Sequence, residues 1–477
     1  KAVTQNKSED KEKLGLDDLE WLANEARKAH KAGDYQKAIE RWKQILPIAE
    51  MLLGPDDLST AVTLNNLAFL YAEQDVYSNA EPLYLRALAI NEKALGPDHL
   101  STALSLNNLG GMYYKQGLYS KAEALYLRAL AIREKALGPE HPDTATSLNN
   151  LASLYSDQGL YSKAEPLYLR ALSIAEKALG AEHLDTAQSL NNLASVYEEQ
   201  GLYSKAEPLY LRALAIKEKA LGPEHLDTAM ILNNLAGLYE SQGLYSKAEP
   251  LCLRALAIRE KALGLDHSST GRSLNLLAVL YSVQGMHSKA EPLLVRALAI
   301  TEKALGPEHQ NTATAINNLA QLYKMQGLYG KAEPLYLRAL AITEKALGPQ
   351  HPNTAVSLND LSGLYDEQGL YSKAEPLYLR ALAIKEKALG PEHPYTATSL
   401  NNLATLYESQ GLYSKSQPLR RRGLDIEITL IQRESPYLAL SDRLSFVQSL
   451  GYAHEITFSG SSRGSSGANL ALFSRLN

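Results

Sequence analysis

The chain repeats itself every 42 residues. A Leu-Gly pair recurs without insertion or deletion, with its glycine at Gly54, Gly96, Gly138, Gly180, Gly222, Gly264, Gly306, Gly348 and Gly390. Self-similarity at a fixed period of this size is typical of arrays in which each repeat packs on the next. The period therefore predicts one continuous array over residues 16–432, although a chain of 477 residues would otherwise suggest about three domains.

Each repeat is predicted to form two helices. In one of them, Thr144–Gln158 and Ser162–Leu179 are the helical segments, parted by Gln-Gly-Leu-Tyr and closed by Leu-Gly-Pro-Glu-His. The first segment has apolar residues at the i, i+3, i+4 and i+7 spacing of one helix face, namely Leu148, Leu151, Ala152 and Tyr155. Ser162 and Glu165 have the spacing of a capping box at the start of the second helix.

These residues carry a family resemblance. The repeat resembles the tetratricopeptide repeat at Leu148, Ala152, Tyr155, Gly159, Tyr161, Ala164, Tyr168 and Ala171. The phrases Leu-Asn-Asn-Leu-Ala and Glu-Lys-Ala-Leu-Gly-Pro-Glu-His-Pro, with the longer period, resemble the kinesin light chain version, whose second helix is extended. The resemblance implies an all-α, right-handed superhelical solenoid of about ten helix-turn-helix repeats. A short repeat at 16–54 precedes nine 42-residue repeats that start at 55.

The two ends of the chain differ from the array. Residues 1–15 form a polar segment, and residues 433–477 are expected to form a capping helix followed by a flexible tail. The ending Asn469–Asn477 resembles the segment that joins bacterial tetratricopeptide arrays to a caspase-like CHAT protease domain. This similarity leaves open that the chain is the repeat region of such a protein.

Composition argues against several classes of function. Lys+Arg 48 against Asp+Glu 53 leaves a net charge of −5, which does not favour nucleic acid or an anionic membrane as a partner. No apolar run approaches the roughly 18 residues needed to cross a bilayer. The one cysteine, Cys252, stands where other repeats have tyrosine and is predicted to be a core residue. We expect a cytoplasmic protein without a cofactor.

No catalytic or small-molecule site is predicted. Phosphate-binding loops are missing, because the Gly- and Ser-rich run from Ser459 lacks the lysine and the strand–helix context of a P-loop. Eight histidines recur once per repeat, at His99, His141, His183, His225, His267, His309, His351 and His393. Metal ligands must converge on one ion, whereas equivalent residues of an array are spread along it. These histidines are therefore predicted to cap helices or pack loops, and no metal is expected.

One asparagine of each repeat is the candidate peptide ligand. We call this set the Asn ladder: Asn66, Asn108, Asn150, Asn192, Asn234, Asn318 and Asn402. The family resemblance implies that these carboxamides bind the backbone of a peptide, and an amide side chain both donates and accepts hydrogen bonds. The alternative is that one asparagine of each Asn-Asn pair bonds to a neighbouring turn or repeat and only stabilises the stack. The two interpretations are compatible.

Specificity is predicted at first-helix positions that vary between repeats. The candidate groove residues are Tyr114, Asp157, Glu198, Glu199, Glu240, Arg272, Lys324 and Glu367. Acidic residues dominate such positions, so a neutral or basic segment is the expected partner, although a row of acidic residues is also consistent with a solvated face. In the repeat 265–306, Gly271, Leu276 and His287 break the pattern. Drift and an apolar pocket or joint both remain open there.

The leading hypothesis is therefore a scaffold or adaptor that binds a peptide segment of a partner protein in a concave groove. The alternative is the sensing or regulatory region of a larger modular protein, such as one with the CHAT domain named above. A solenoid that assembles by stacking its ends is a third possibility.

Overall fold

The computed structural model describes residues 15–434, which form twenty α-helices and no strand. The prediction of an all-α array of paired helices is confirmed. The first helix of each hairpin has 16 residues, and the second helix has 18 or 19 in the hairpins before the last one. The extended second helix implied by the family resemblance is therefore present.

The chain divides into two compact units, of which unit 1 ends at Pro139 and unit 2 begins at Glu140. Unit 1 contains α1 (Leu16–Lys31), α2 (Tyr35–Leu52), α3 (Leu58–Glu73), α4 (Tyr77–Leu95), α5 (Leu100–Lys115) and α6 (Tyr119–Leu137).

Unit 2 continues the same alternation of first and second helices. It contains α7 (Pro142–Asp157), α8 (Tyr161–Leu179), α9 (Leu184–Glu199), α10 (Tyr203–Leu221), α11 (Leu226–Ser241), α12 (Tyr245–Leu263), α13 (Ser268–Val283), α14 (His287–Leu305), α15 (Gln310–Met325), α16 (Tyr329–Ala346), α17 (Pro352–Glu367), α18 (Tyr371–Ala388), α19 (Pro394–Ser409) and α20 (Tyr413–Glu434). The polar segment predicted for 1–15 lies outside the described residues except for Gly15, and so do the capping helix and tail predicted for 433–477 except for its first two residues.

The core is built from the repeated apolar positions. Leu148, Ala152, Ala164 and Ala171 are fully buried, and the small alanines allow the helices to approach closely. Cys252 is buried in place of a core tyrosine, as predicted. Burial raises the pKa of its thiol to about 12, so the thiolate form is strongly disfavoured.

Glycines close both turns of each repeat. Gly159, between the two helices, has φ +64°, and Gly180, after the second helix, has φ +100°, a region that side-chain-bearing residues rarely adopt. The carbonyl oxygen of Gly180 accepts a hydrogen bond of 2.8 Å from the Thr186 hydroxyl in the next first helix. The recurring Leu-Gly pair is thus a helix terminator fixed to the following repeat.

The predicted capping box at Ser162 and Glu165 is wrong. The second helix begins at Tyr161, its N-cap is Leu160, and no side chain caps it. Glu165 instead accepts a hydrogen bond of 2.8 Å from the hydroxyl of Tyr197 in the next repeat. Pro166 lies inside the helix rather than at its start, close enough to the N-terminus for the helix to continue.

The Tyr197–Glu165 contact is one of a series that joins neighbouring repeats. Equivalent hydrogen bonds of 2.6–2.8 Å link Tyr113 to Glu81, Tyr239 to Glu207, Tyr281 to Glu249, Tyr323 to Glu291, Tyr365 to Glu333 and Tyr407 to Glu375. Each of these tyrosines also packs its ring beneath the lysine of the following second helix, as Lys205 does over Tyr197. The repeats are therefore held together by polar contacts as well as by apolar burial.

The first helices of unit 2 lie on the inside of its curvature. Successive first helices contact one another from α7 to α17, whereas within the described residues no second helix contacts the next second helix to a similar extent. Helices on the inner side of a curved stack are closer together than those on the outer side. The inner, concave face of unit 2 is thus formed by its odd-numbered helices, and we call this face the groove.

Within residues 15–434, no helix is both long enough and apolar enough to span a membrane.

Candidate functional site

The two asparagines of each pair have different surroundings. In several repeats the first asparagine donates its side-chain N–H to a serine of the next repeat, as Asn65 does to Ser105 at 3.3 Å and Asn233 to Ser273 at 3.2 Å. The same bond joins Asn317 to Ser357 and Asn359 to Ser399, both at 3.5 Å. The first asparagine therefore connects consecutive repeats.

The second asparagine, which belongs to the Asn ladder, is half-buried in every case. Two ladder members are engaged by the protein itself: Asn192 accepts from Gln188 at 2.8 Å, and Asn234 donates to Asn191 at 2.7 Å. The other members make no side-chain hydrogen bond to any residue between 15 and 434, namely Asn66, Asn108, Asn150, Asn318 and Asn402. Their carboxamides are left to water or to a ligand.

A cavity of about 660 Å³ opens into the groove where three first helices meet. We call it the α9–α13 cavity. Its walls are formed by Ser195, Glu198 and Glu199 of α9, Tyr210 of α10, Asn233, Asn234, Gly237 and Ser241 of α11, and Arg272, Asn275, Leu276 and Val279 of α13. It brings together four of the candidates named from the sequence, namely Asn234, Glu198, Glu199 and Arg272.

Glycine keeps the floor of this cavity open. A Cβ atom at Gly237 would lie 3.6 Å from Oε1 of Glu198, so any larger side chain there would fill the space in front of that carboxylate. Two other repeats also have glycine at the equivalent position, Gly111 and Gly363, whereas the rest of the 42-residue repeats have serine, valine, glutamine, threonine or phenylalanine there. The room for a ligand at this point thus depends on one residue.

The carboxylates of the cavity are held in fixed positions. Glu198 accepts a hydrogen bond of 2.8 Å from the hydroxyl of Tyr210, and Glu199 accepts one of 2.5 Å from Ser156. Burial, with the nearby charges of Glu199 and Glu240, raises the pKa of Glu198 to about 7. Glu199 reaches solvent within the groove, but the surrounding protein and the charge of Asp157 raise its pKa to about 7. Burial also raises the pKa of Glu240.

The opposite wall of the cavity is basic and apolar. Arg272 forms no ion pair with any carboxylate of the described chain. Behind it, Arg259 is buried and donates a hydrogen bond of 2.6 Å to Ser273. Burial and the charge of Arg272 lower the pKa of Arg259 to about 10. Leu276, which replaces a ladder asparagine, supplies an apolar surface between the two walls.

The irregular repeat 265–306 folds as the others do. Its helices α13 and α14 have the usual lengths, and His287 occupies the first position of α14 where other repeats have tyrosine. Gly271 packs tightly, since a Cβ there would lie 3.3 Å from a methyl group of Ile300. The changes in this repeat therefore alter the groove surface at Arg272 and Leu276 and not the hairpin.

The remaining candidates lie elsewhere. Lys324 forms an ion pair of 3.2 Å with Glu367 on the next first helix, so these two partly neutralise each other. Nearby Asp360 replaces a ladder asparagine, and burial raises its pKa to about 6 despite Lys324 and Lys385. Asp157 is exposed at the end of α7. Tyr114 belongs to unit 1, where its ring contacts that of Tyr119 at 6.1 Å.

The repeated histidines cap first helices, as predicted. Nδ1 of each one accepts a hydrogen bond of 3.0–3.1 Å from the backbone N–H two residues later, in His99, His141, His183, His225, His267, His309, His351 and His393. Among the residues that the structure describes, no group of three histidine, cysteine or acidic side chains is arranged to hold a metal ion.

Three groups at this site were missed by sequence reasoning. Asn233 and Asn275 were assigned no ligand-binding role, although both line the α9–α13 cavity and the Oδ1 atom of each accepts no hydrogen bond from the described protein. Tyr210 was assigned to the core alone, but its hydroxyl orients Glu198. For Asn233 the available signal was the serine 40 residues later, Ser273, which accepts a hydrogen bond from the amide nitrogen and leaves Oδ1 without a donor.

Comparison with known protein families identifies the repeat. The model of the tetratricopeptide repeat matches the chain in overlapping segments, at residues 21–93, 62–135, 102–177, 143–219, 185–261, 227–303, 283–345, 311–387 and 367–426. These segments span most of the chain. A search of curated proteins finds no match.

Solved structures contain similar arrays. The putative kinesin light chain nearly identical TPR-like repeats of Podosopora anserina are 30% identical, over 43% of this chain and 97% of that chain, with a TM-score of 0.37. BtubC (BKLC) from P. vanneervenii is 25% identical, over 51% of this chain and 92% of that chain, with a TM-score of 0.38. A Rap protein complexed with Competence and Sporulation Factor is 16% identical, over 87% and 99% of the two chains, with a TM-score of 0.49. The expected likeness to kinesin light chain repeats is confirmed.

Proposed function

Because the chain belongs to the tetratricopeptide repeat family, we propose that it is a protein–protein interaction scaffold that holds a polypeptide segment of its partner against the first helices of its repeats. The proposal includes no catalysis and no cofactor. The partner segment would lie along the groove of unit 2, where the odd-numbered helices form the inner face.

The observation that carries the proposal is the state of the Asn ladder. Five of its carboxamides are half-buried and make no hydrogen bond within residues 15–434, although polar groups in such positions normally have a partner. A peptide backbone presents an N–H and a C=O at each residue, and a carboxamide satisfies both. Asn150, Asn318 and Asn402 place this pair of groups at three points along unit 2.

The alternative role for these asparagines, in fixing the stack, applies mainly to the other asparagine of each pair. Asn65 and Asn233 connect consecutive repeats, whereas Asn150, Asn318 and Asn402 contribute no such bond. Asn192 and Asn234 make hydrogen bonds within the protein in the unbound state, and they would have to break these bonds to bind a ligand. The five unengaged members are therefore the better positions at which to test binding.

The test is affinity capture from a cell lysate on immobilised protein. The variant Asn150→Ala, Asn318→Ala, Asn402→Ala removes three ladder amides. The control variant Ser204→Ala, Ser246→Ala, Ser372→Ala removes three exposed polar groups from second helices. At roughly 0.5–1.5 kcal/mol per hydrogen bond, loss of three should weaken binding by on the order of 100-fold.

The proposal predicts a protein that is retained by the wild type and the serine control and lost from the asparagine variant. Equal recovery on all three would contradict it. Circular dichroism of each variant checks that its helix content equals that of the wild type.

A further inference from the structure

Several hydrogen-bond acceptors in the α9–α13 cavity have no donor from the described protein. Glu198 and Glu199 each offer two carboxylate oxygens, of which Tyr210 and Ser156 occupy one apiece. Asn233 is only 9% exposed, and its Oδ1 has no partner because its amide nitrogen is turned to Ser273. A buried acceptor without a donor costs free energy unless a ligand supplies one.

These acceptors lie on one wall of the cavity. The α9 and α11 side carries the two carboxylates and the unpartnered oxygen of Asn233, and Glu240 adds a further negative charge behind Glu198. The α13 side carries Arg272, with the buried Arg259 behind it. A positive group in the cavity is therefore attracted to the α9 wall and repelled by the α13 wall, so it is oriented toward the carboxylates.

We propose that the α9–α13 cavity is a subsite for one basic side chain, lysine or arginine, of the partner polypeptide, bound by the carboxylates of Glu198 and Glu199 and by Oδ1 of Asn233. The inference rests on the proposed peptide-binding function and adds the chemistry of one ligand position. An ammonium group has three N–H donors and a guanidinium five, which matches the carboxylate and amide oxygens of this wall. The methylene groups of either side chain would pass Leu276 and Val279.

The raised pKa of the Glu198 carboxyl couples its ionisation to the binding of a cation. Desolvation holds the pKa of Glu198 near 7 in the empty cavity, and a bound positive charge favours the ionised form. Binding of a lysine or arginine side chain would thus release protons near neutral pH. At pH 8 the carboxylates are largely ionised before binding. Selection of ligands at this pH therefore gives the strongest electrostatic attraction for a basic side chain.

The test uses a library of random 12-residue peptides displayed on phage, selected at pH 8 on the full chain. Three proteins are compared: the wild type, the cavity variant Glu198→Gln, Glu199→Gln, and the control variant Glu182→Gln, Glu224→Gln. The control removes the same charge from two exposed surface ion pairs, with Lys219 and Lys261, outside the cavity. Glutamine at position 198 keeps an acceptor for the Tyr210 hydroxyl, so the variant retains that contact.

We expect peptides selected on the wild type to be enriched roughly tenfold in lysine or arginine at one position, as one charge-assisted hydrogen bond would give. The control should keep this enrichment, and the cavity variant should lose it. Selection of peptides without a basic preference, or with a preference that survives in the cavity variant, would overturn the subsite and leave the peptide-binding function standing. Selection of no peptide at all by the wild type would overturn both.

Discussion

The imidazole Nε2 of His393 lies 3.1 Å from the backbone oxygen of Asp157, although 236 residues separate them. Arg433 makes a similar contact, donating a hydrogen bond of 2.7 Å to the carbonyl oxygen of Gly159. Unit 2 therefore returns on itself, so that the hairpin of α19 and α20 touches the hairpin of α7 and α8 six repeats earlier. The turn between α7 and α8 and the start of α19 therefore meet, although six repeats separate them along the chain.

The first prediction concerns Gly159 in this contact. A Cβ at Gly159 would lie 2.9 Å from Cδ of Pro394, whereas one at the equivalent Gly243 would meet nothing within 4 Å. Both glycines have a positive φ, so alanine costs about 1 kcal/mol of backbone strain at either position. Gly159→Ala should therefore destabilise unit 2 more than Gly243→Ala does.

The measurement is amide hydrogen exchange over 391–399 in the two variants. We expect faster exchange in Gly159→Ala alone and its reversal when Pro394→Ala is added. Equal exchange in both glycine variants would mean that the contact between Gly159 and Pro394 is absent in solution.

The second prediction is a pH dependence from Glu198. Its pKa is about 7 in the folded chain, above the ordinary value of 4.5, because of burial and the charges of Glu199 and Glu240, while Tyr210 opposes the shift. The folded state thus binds the proton more tightly than the unfolded state does. The free energy of unfolding should fall as the pH rises from about 4.5 to about 7, with no further loss from this group above that range.

In Glu198→Gln the titrating carboxyl is absent, so its contribution to the fall in the free energy of unfolding is removed. Thermal denaturation should show the variant more stable than the wild type at pH 8, by roughly 2–4 °C, with a smaller difference at pH 5. Glu182→Gln, at an exposed position, is the matched control. Its difference in melting temperature from the wild type should be the same at pH 5 and at pH 8. A difference for Glu198→Gln that is constant with pH would exclude a raised pKa at this position.

The third prediction concerns the histidine caps. Nδ1 of His183 accepts from the backbone N–H of Asp185 at 3.1 Å, and Asp57 makes the same bond to Ser59 at 2.8 Å in an earlier repeat. His183→Ala should lower the local stability of the start of α9 by about 1 kcal/mol, and His183→Asp should preserve it. Hydrogen exchange of the first turn of α9 measures this. Equal protection in the alanine and aspartate variants would show that the cap contributes nothing.

The sequence predicts the hairpins well because the information is local and repeated. Leu148 and Ala152 fall on one helix face by spacing alone, and Gly180 ends the second helix by its own conformational freedom. The role of Glu165 was misjudged because a glutamate three residues after a serine fits a capping box and a cross-repeat acceptor equally well. Only the position of Tyr197 in the next repeat decides between them.

The site and the contact between the two distant hairpins depend on geometry that no single repeat contains. The contact between His393 and Asp157 results from small rotations that accumulate over six repeats, and spacing within one repeat does not determine them. The α9–α13 cavity likewise requires Gly237 on one helix and Leu276 on another. The sequence identified its charged residues one by one but not that they share a cavity.

The most direct test of the scaffold function is to ask whether a partner lies in the groove. A photoreactive residue, p-benzoylphenylalanine, would replace Val279 in the cavity wall or, as a control, Leu211, which is exposed on a second helix. After irradiation in lysate, mass spectrometry identifies any polypeptide crosslinked to each position. The account predicts a partner peptide joined at Val279 and not at Leu211; crosslinking at Leu211 with none at Val279 would contradict it.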